Sequence, residues 1–389
     1  MKIPLNPTLV SLPPSGIRRF FDIAAEVEGV LSLSLGEPDF PTPWHIREEG
    51  IRTLEKGRTW YSANAGLLSL RQAVAGYVER HAEVTYDPEK EILITVGGSE
   101  AIDIALRALI NPGAGDEVLI PEPSFVCYHP LTLMAGGVPV PLRTREEDAF
   151  RLTADTLKAA ITPRSKVLLL PYPNNPTGGV LRREHLEAVA EVIRGTDIVV
   201  ITDEIYGGLT YGDTPHVSFA ALPGMRERTV RISGFSKEFS MTGWRLGYVC
   251  APAEPLAAML KLHQYALMCA PTVAQYAAIE AMNAGDEDVA AMREEYDLRR
   301  RYIVGRLRAI GLPCFEPEGA FYVFPSVAPC GLSSEAFCQR LINEQKVAMV
   351  PGNAFGESGE GFVRISYCYS LAHITEAMNR LERFIETCC

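Results

Sequence analysis

Hydrophobic positions change their spacing along the chain, and the changes predict its architecture. From about residue 90 to 250, short β-branched runs stand at Ile92–Val96, Val118–Pro121, Val167–Leu170, Ile198–Thr202, Thr229–Ile232 and Leu246–Cys250. Near-continuous apolar runs of this length predict strands covered on both faces, as in a mostly parallel sheet. Between them the apolar positions move to helical spacing, as in Ile102, Leu106, Leu109 and Ile110, which predicts a helix over 99–111. The alternation is an α/β pattern.

After Gly285 a long helix is predicted by the stripe Val289, Met292, Tyr296, Ile303, Leu307 and Ile310. Strand-like runs follow at Phe321–Phe324, Val347–Val350 and Phe362–Ser366, then a last helix carrying Ile374, Met378, Leu381 and Ile385 behind Ser370 as N-cap. These predict a second, smaller α+β unit. The opening, broken by Pro4, Pro7, Pro13 and Pro14, is expected to pack as an arm on that unit or on a neighbouring subunit. No internal repeat or low-complexity segment is present.

With 389 residues, 47% of them hydrophobic, the chain can build one large core or two medium ones. Its net charge of −11, without a Lys/Arg-rich block, argues against nucleic acid and anionic membranes as partners. The nine cysteines form no Cys-x-x-Cys pair and the seven histidines no close pair, so no metal site is expected. Reduced thiols in a cytoplasm are the expectation. The stretch Met1–Pro7 is too proline-broken for a signal segment, and no apolar run spans a bilayer. Cys388 and Cys389 make no prenylation box and are read as a surface tail.

Polar motifs follow the strand runs, and open α/β sheets bind ligands at the carboxyl ends of their strands. Lys237, framed by small residues after Thr229–Ile232, can project its amine into a cavity, with Arg245 eight residues on for an anion. That pairing suits a Schiff-base lysine beside a phosphate site. Gly97-Gly98-Ser99-Glu100-Ala101 opens the predicted helix and can hold phosphate on its amides; a plain glycine turn is the other reading. Asn175, in the proline-fixed loop 171–178, can donate into the site or merely form an Asn-Pro turn. Asp203 can pair with a protonated pyridine nitrogen, with Tyr206 on the ring's phenolic oxygen, or it can cap a helix. Phe125 and Tyr128 offer faces to a flat ring or fill the core. Arg364, inside an apolar strand, needs either an internal carboxylate or a substrate's; the substrate is favoured, because the second unit faces the first.

Taken together, these residues resemble the class I aminotransferases of fold type I, which use pyridoxal 5′-phosphate. The likeness also covers Gly36-Glu37-Pro38-Asp39-Phe40, Tyr61–Gly66, Pro317–Tyr322 and Val350-Pro351-Gly352. It implies a large domain with a mostly parallel mixed sheet between helices plus a smaller α+β domain. The expected division is 1–47 as arm and part of the small domain, 48–285 as the cofactor-binding domain and 286–389 as the small domain. By the resemblance Lys237 forms the internal aldimine and shuttles the proton, with Asp203 on the pyridine nitrogen, Asn175 and Tyr206 on the ring oxygen and Phe125 stacked. Gly98, Ser99, Glu100 through its amide, Ser236 and Arg245 hold the phosphate. Tyr61 reaches the phosphate of the other subunit of a homodimer with shared sites, and Gly36, Asn175 and Arg364 hold the substrate's α-carboxylate. The small domain closes over the substrate.

The implied activity is transfer of an amino group between an L-amino acid and a 2-oxo acid by a ping-pong route, with glutamate and 2-oxoglutarate as one pair. Leu5-Asn6-Pro7, Ser15–Arg18, Met241–Trp244 and Lys261–Tyr265 look most like N-acetyl-diaminopimelate aminotransferases, although aspartate and aromatic enzymes share most of these words. A distal substrate carboxylate would need another cation. Leu262–Tyr276 holds only His263, leaving Arg18 or Arg19 as candidates. Three rivals stand beside this reading: a carbon–sulfur β-lyase on the same cofactor, a serine hydrolase built on Ser99, Asp203 and His373, and a ligand sensor, for which no basic head fits before Gly36.

Overall fold

The apolar runs between residues 90 and 250 assemble side by side into one sheet. The computed structural model describes residues 3–14, 16–17, 27–212 and 215–388. In chain order its strands are β1 (Leu31–Ser32), β2 (Ile92–Thr95), β3 (Glu117–Glu122), β4 (Val138–Arg143), β5 (Ser165–Leu170), β6 (Val199–Asp203), β7 (Thr229–Gly234), β8 (Gly247–Cys250), β9 (Tyr322–Val323), β10 (Val347–Ala348), β11 (Val350–Pro351) and β12 (Val363–Ser366). The seven-stranded sheet has the order β2-β8-β7-β6-β5-β3-β4. From β7 to β4 every neighbouring pair is parallel, and β8 runs against both β7 and β2.

Both faces are covered, which explains the unbroken hydrophobicity of the central strands. On β5, Val167 and Leu169 join a core with Leu106 and Leu256, from helices Gly98–Leu109 and Ala253–Ala266. Leu168 and Leu170 point the other way, into a core with Leu186, Val189 and Ile193 of helix Arg183–Ile193. β4 escaped the sequence reading because its VPVPLR pattern is interrupted by Pro139 and Pro141. It lies at the sheet edge, where missing amide hydrogens are tolerated.

The C-terminal part holds the predicted long helix, Asp286–Ala309, and the antiparallel order β11-β12-β9. The run Val347–Val350 is split at Met349 between two small sheets, since β10 pairs in parallel with β1. That pairing carries residues 31–36 back onto the C-terminal part. The N-cap at Ser370 is present, its hydroxyl accepting from the His373 amide at 3.3 Å. One core joins Leu33, Tyr296, Phe321, Phe337, Ile374 and Phe384 to Tyr206, Leu209 and Tyr211, which follow β6. The arm divides its packing: helix Pro7–Ser11 lies against helix Tyr128–Met134, whereas Ile17 sits in a cluster with Phe324, Val350 and Phe355. Among the described residues no helix is long and apolar enough to cross a membrane. Cys127, Cys250, Cys269, Cys314, Cys338 and Cys368 are free, but Cys330 is disulfide-bonded, against the expectation of reduced thiols throughout. Cys389 lies outside the described residues.

One buried ion pair ties the carboxyl end of β6 to the middle of β7. Glu204 accepts from Arg231 Nε at 2.8 Å, Ser218 at 2.8 Å and Thr202 at 2.9 Å. Burial pushes its carboxyl up, but Arg231, His216 and Ser218 together outweigh that and hold it at about 2, below the usual 4.5. The stabilisation is therefore full above pH 4.5 and lost as pH falls towards 2. Glu204→Gln is expected to cost about 3–5 kcal/mol in denaturant unfolding at pH 7, because Arg231 is left buried and unpaired. The variant should also lose part of the parent's pH dependence between 4.5 and 2.

Candidate active site

The carboxyl ends of β5, β6 and β7, the start of helix Gly98–Leu109 and the crossing segment at Gly36 surround one cavity of about 260 Å³. It is lined by Gly36, Gly98, Ser99, Phe125, Asn175, Asp203, Tyr206, Ser236, Lys237, Arg245 and Arg364, all named from the sequence. Tyr322, Thr242, Ile17 and Leu35 also line it, and no role was read for them from their motifs.

One end is built for an anion. Gly98 and Ser99 bring the amides of a helix N-terminus, and Arg245 stands beside them. An ideal Cβ on Gly97 would lie 2.7 Å from Arg245 Nη2, and φ there is +81°, so the approach of the guanidinium requires glycine. Arg245 itself has a left-handed φ of 53°, with its Nη1 donating to the Thr242 carbonyl at 3.0 Å.

Asp203, in the same lining, is buried. Its Oδ2 accepts from the Tyr128 hydroxyl at 2.8 Å and its Oδ1 from the Ile205 amide at 3.2 Å. The second contact closes a turn rather than capping a helix. Burial pushes the Asp203 carboxyl above its ordinary range, against both hydrogen bonds. Neither partner is charged, so a cation at the cavity end of this carboxylate would meet an unfilled demand. Tyr128 departs from the expected stacking role: its hydroxyl orients Asp203, while its ring meets Phe125 edge-on at 5.9 Å.

Lys237, also in the lining, donates from Nζ to the Gly36 carbonyl at 2.6 Å. Enclosure lowers its ammonium to about 8, with Arg364 and Arg245 pushing the same way. Arg364 is buried between the rings of Tyr322 and Phe355, 4.6 and 4.9 Å away. It donates from Nη1 to Asn175 Oδ1 at 2.9 Å and from Nη2 to the Ser34 carbonyl, while Nε has no partner. Among the described residues the internal salt bridge considered for Arg364 is not formed, both acceptors being neutral.

Other sequence candidates lie elsewhere. Tyr61 is 75% exposed and does not line the cavity of its own chain. The Glu100 side chain turns away, accepting from the Val96 amide and from His263 Nδ1 at 2.6 Å. His263 is thereby fully buried and unavailable to a neighbour's site. Arg18 and Arg19 lie outside the described residues. His373 bonds the Ser32 carbonyl at 2.9 Å and stacks on Tyr369, away from the cavity lining, so the hydrolase triad does not assemble.

Residues 28–381 match the family model for class I and II aminotransferases. The chain belongs to this family. It is therefore a transaminase dependent on pyridoxal 5′-phosphate, with the fold type I architecture. A putative aminotransferase of Bacillus subtilis is 51% identical, covering 98% of each chain. An aspartate aminotransferase of Pyrococcus abyssi is 46% identical over 96% of each. The crystal structure of an aromatic aminotransferase from Pyrococcus horikoshii superposes with a TM-score of 0.90 at 43% identity, covering 95% of this chain and 99% of that one. Nothing among these relatives favours the lyase.

The cavity fits the cofactor on its own terms: an anion cradle, a buried carboxylate lacking a cation and a lysine of lowered pKa. The lysine gives a testable stability cost. Its folded pKa of about 8 lies below the 10.5 of an ordinary lysine, so its charge opposes folding fully below pH 8, and the cost fades as pH rises towards 10.5. Cofactor-free Lys237→Met should be roughly 1–3 kcal/mol more stable than the parent at pH 7 by denaturant unfolding. The gap should narrow above pH 8; equal stability at pH 7 would argue against an enclosed charge.

Proposed function

We propose that the cavity residues divide the transamination as follows. Arg364 is the observation that carries the reading. It is a buried guanidinium with no carboxylate partner among the described residues and a free Nε, in the lining of the cavity that holds the anion cradle. A substrate α-carboxylate completes its hydrogen bonding in a bidentate geometry, with Asn175 and the backbone at Gly36 beside it. When bound, pyridoxal 5′-phosphate supplies an aldehyde carbon for the amino group and a ring that accepts the electron pair left at Cα.

The chain's own groups do the rest. Gly98, Ser99, Ser236, Arg245 and the Glu100 amide hold the phosphate, and Phe125 covers the ring. Asp203 keeps positive charge at the ring nitrogen, while Asn175 and Tyr206 donate to the ring oxygen. Lys237 Nζ, its ammonium lowered to about 8 and so easily deprotonated, takes up the Cα proton and returns it. The wall between Leu35, Ile17 and Tyr322 keeps water from that proton.

A homodimer is part of the proposal. Trp60 and Tyr61 are 63% and 75% exposed, and Tyr265, Leu267 and Met268 are 87%, 44% and 45% exposed. The two loops adjoin through Asn64 Nδ2 to the Met268 carbonyl at 2.9 Å, giving one apolar surface from which Tyr61 can reach a second copy's phosphate. The proposed setting is cytoplasmic amino acid metabolism, with glutamate and 2-oxoglutarate as one substrate pair in a ping-pong cycle. The finer likeness to N-acetyl-diaminopimelate enzymes assigns no donor.

Two variants test the division. Lys237→Ala should bind cofactor and keep its fold yet lose at least about a thousandfold in kcat, since proton transfer loses its carrier. Arg364→Lys should leave the cofactor spectrum unchanged and raise KM for the amino donor by about a hundredfold, because an ammonium cannot form the paired bonds. Normal turnover in the first variant, or an unchanged KM in the second, overturns the assignment.

A further inference from the structure

Tyr322 lies against Tyr206, Arg364 and Gly36, yet the chemistry above gives it no part beyond shielding. It stands on β9, in the C-terminal part, and its hydroxyl lies 2.9 Å from the hydroxyl of Tyr206, which follows β6 of the large sheet. Its ring stacks on the Arg364 guanidinium at 4.6 Å. An ideal Cβ on Gly36 would come within 1.9 Å of the Tyr322 oxygen, so that oxygen rests on the backbone whose carbonyl receives Lys237 Nζ at 2.6 Å. One side chain thus meets the carboxylate-binding arginine, the segment holding the lysine and the ring-oxygen tyrosine.

The contact between the two hydroxyls has a consequence once Tyr206 is engaged. Each phenol has a single proton to give. When Tyr206 donates to a ring oxygen, its own oxygen is free to accept, and Tyr322 is the donor within reach. A phenol that accepts a hydrogen bond is polarised into a stronger donor.

We propose that Tyr322 is a positioning residue in two senses. Its hydroxyl donates to Tyr206 and strengthens the Tyr206 hydroxyl as donor to the cofactor's ring oxygen, while its ring holds the Arg364 guanidinium in the plane that receives a carboxylate. The proposal rests on the reading of Tyr206 as the ring-oxygen partner. It links the two halves of the site, because a shift of β9 that adjusts Arg364 to substrate also alters the hydrogen bond reaching Tyr206.

The test uses the cofactor-loaded enzyme and follows the visible band of the bound cofactor as pH is varied, in the parent, Tyr322→Phe, Tyr206→Phe and the double variant. A hydrogen bond to the oxyanion favours the deprotonated form, so weakening it raises the midpoint. Tyr206→Phe should raise the midpoint most. Tyr322→Phe should raise it by about half a unit, with no further rise when added to Tyr206→Phe. KM for the amino donor should change less than about twofold in Tyr322→Phe, which keeps the ring, and rise about tenfold in Tyr322→Leu, which loses it.

A Tyr322→Phe midpoint equal to the parent's overturns the relay. So does the same shift in both backgrounds, because the effect would then bypass Tyr206. If Tyr206→Phe itself leaves the midpoint in place, the ring-oxygen reading fails and the relay with it. An unchanged KM in Tyr322→Leu overturns the positioning of Arg364 independently of the spectra.

Discussion

The structure depends on charges that are buried before their partners arrive. Arg364 is enclosed with neutral acceptors and a free Nε, Asp203 is enclosed without a cation, and Lys237 is held where its ammonium is disfavoured. Each costs folding free energy that the surrounding cores must offset. The cofactor and an amino acid together present a pyridinium, a phosphate, a carbonyl carbon and a carboxylate. On the proposed division the site is complementary to that set, and binding would relieve the costs that folding incurs.

The two units have different parts in holding those charges. The large sheet fixes Asp203 and Lys237 at the ends of adjacent parallel strands, where register is set by apolar residues packed on both faces. The Glu204–Arg231 pair joins the end of β6 to the body of β7. Arg364 comes from β12 of the other part, and residues 33–36 lie between the two. Leu33 accepts from the Ser366 amide at 2.8 Å, and Ser34 accepts from Arg364 itself. Arg364 and the segment leading to Gly36 are thus tied to each other by hydrogen bonds through residues 33–34.

Legibility in the sequence followed physical cause. The central strands were readable because burial on both faces leaves unbroken apolar runs, and the site residues because they follow those runs at the ends where ligands bind. β4 was hidden by prolines that only an edge strand can carry, and the break between β10 and β11 by a run whose halves join different sheets. The partners that fix the site were hidden for another reason. Tyr128 on Asp203, Tyr322 on Tyr206 and His263 on Glu100 join residues 75, 116 and 163 positions apart, and no local pattern encodes such a meeting. Tyr61 was legible only through the family likeness, since its own chain gives it nothing to bind.

The most direct measurement is the absorbance spectrum of the cofactor-loaded protein before and after L-glutamate is added without a 2-oxo acid. The account predicts that a visible band decays, a near-ultraviolet band replaces it, and 2-oxoglutarate restores the first. Absence of a visible band in the loaded protein contradicts the account at Lys237. A band that no amino donor in a panel converts reversibly, or that persists while a 2-oxo acid and ammonia are released together, contradicts amino-group transfer.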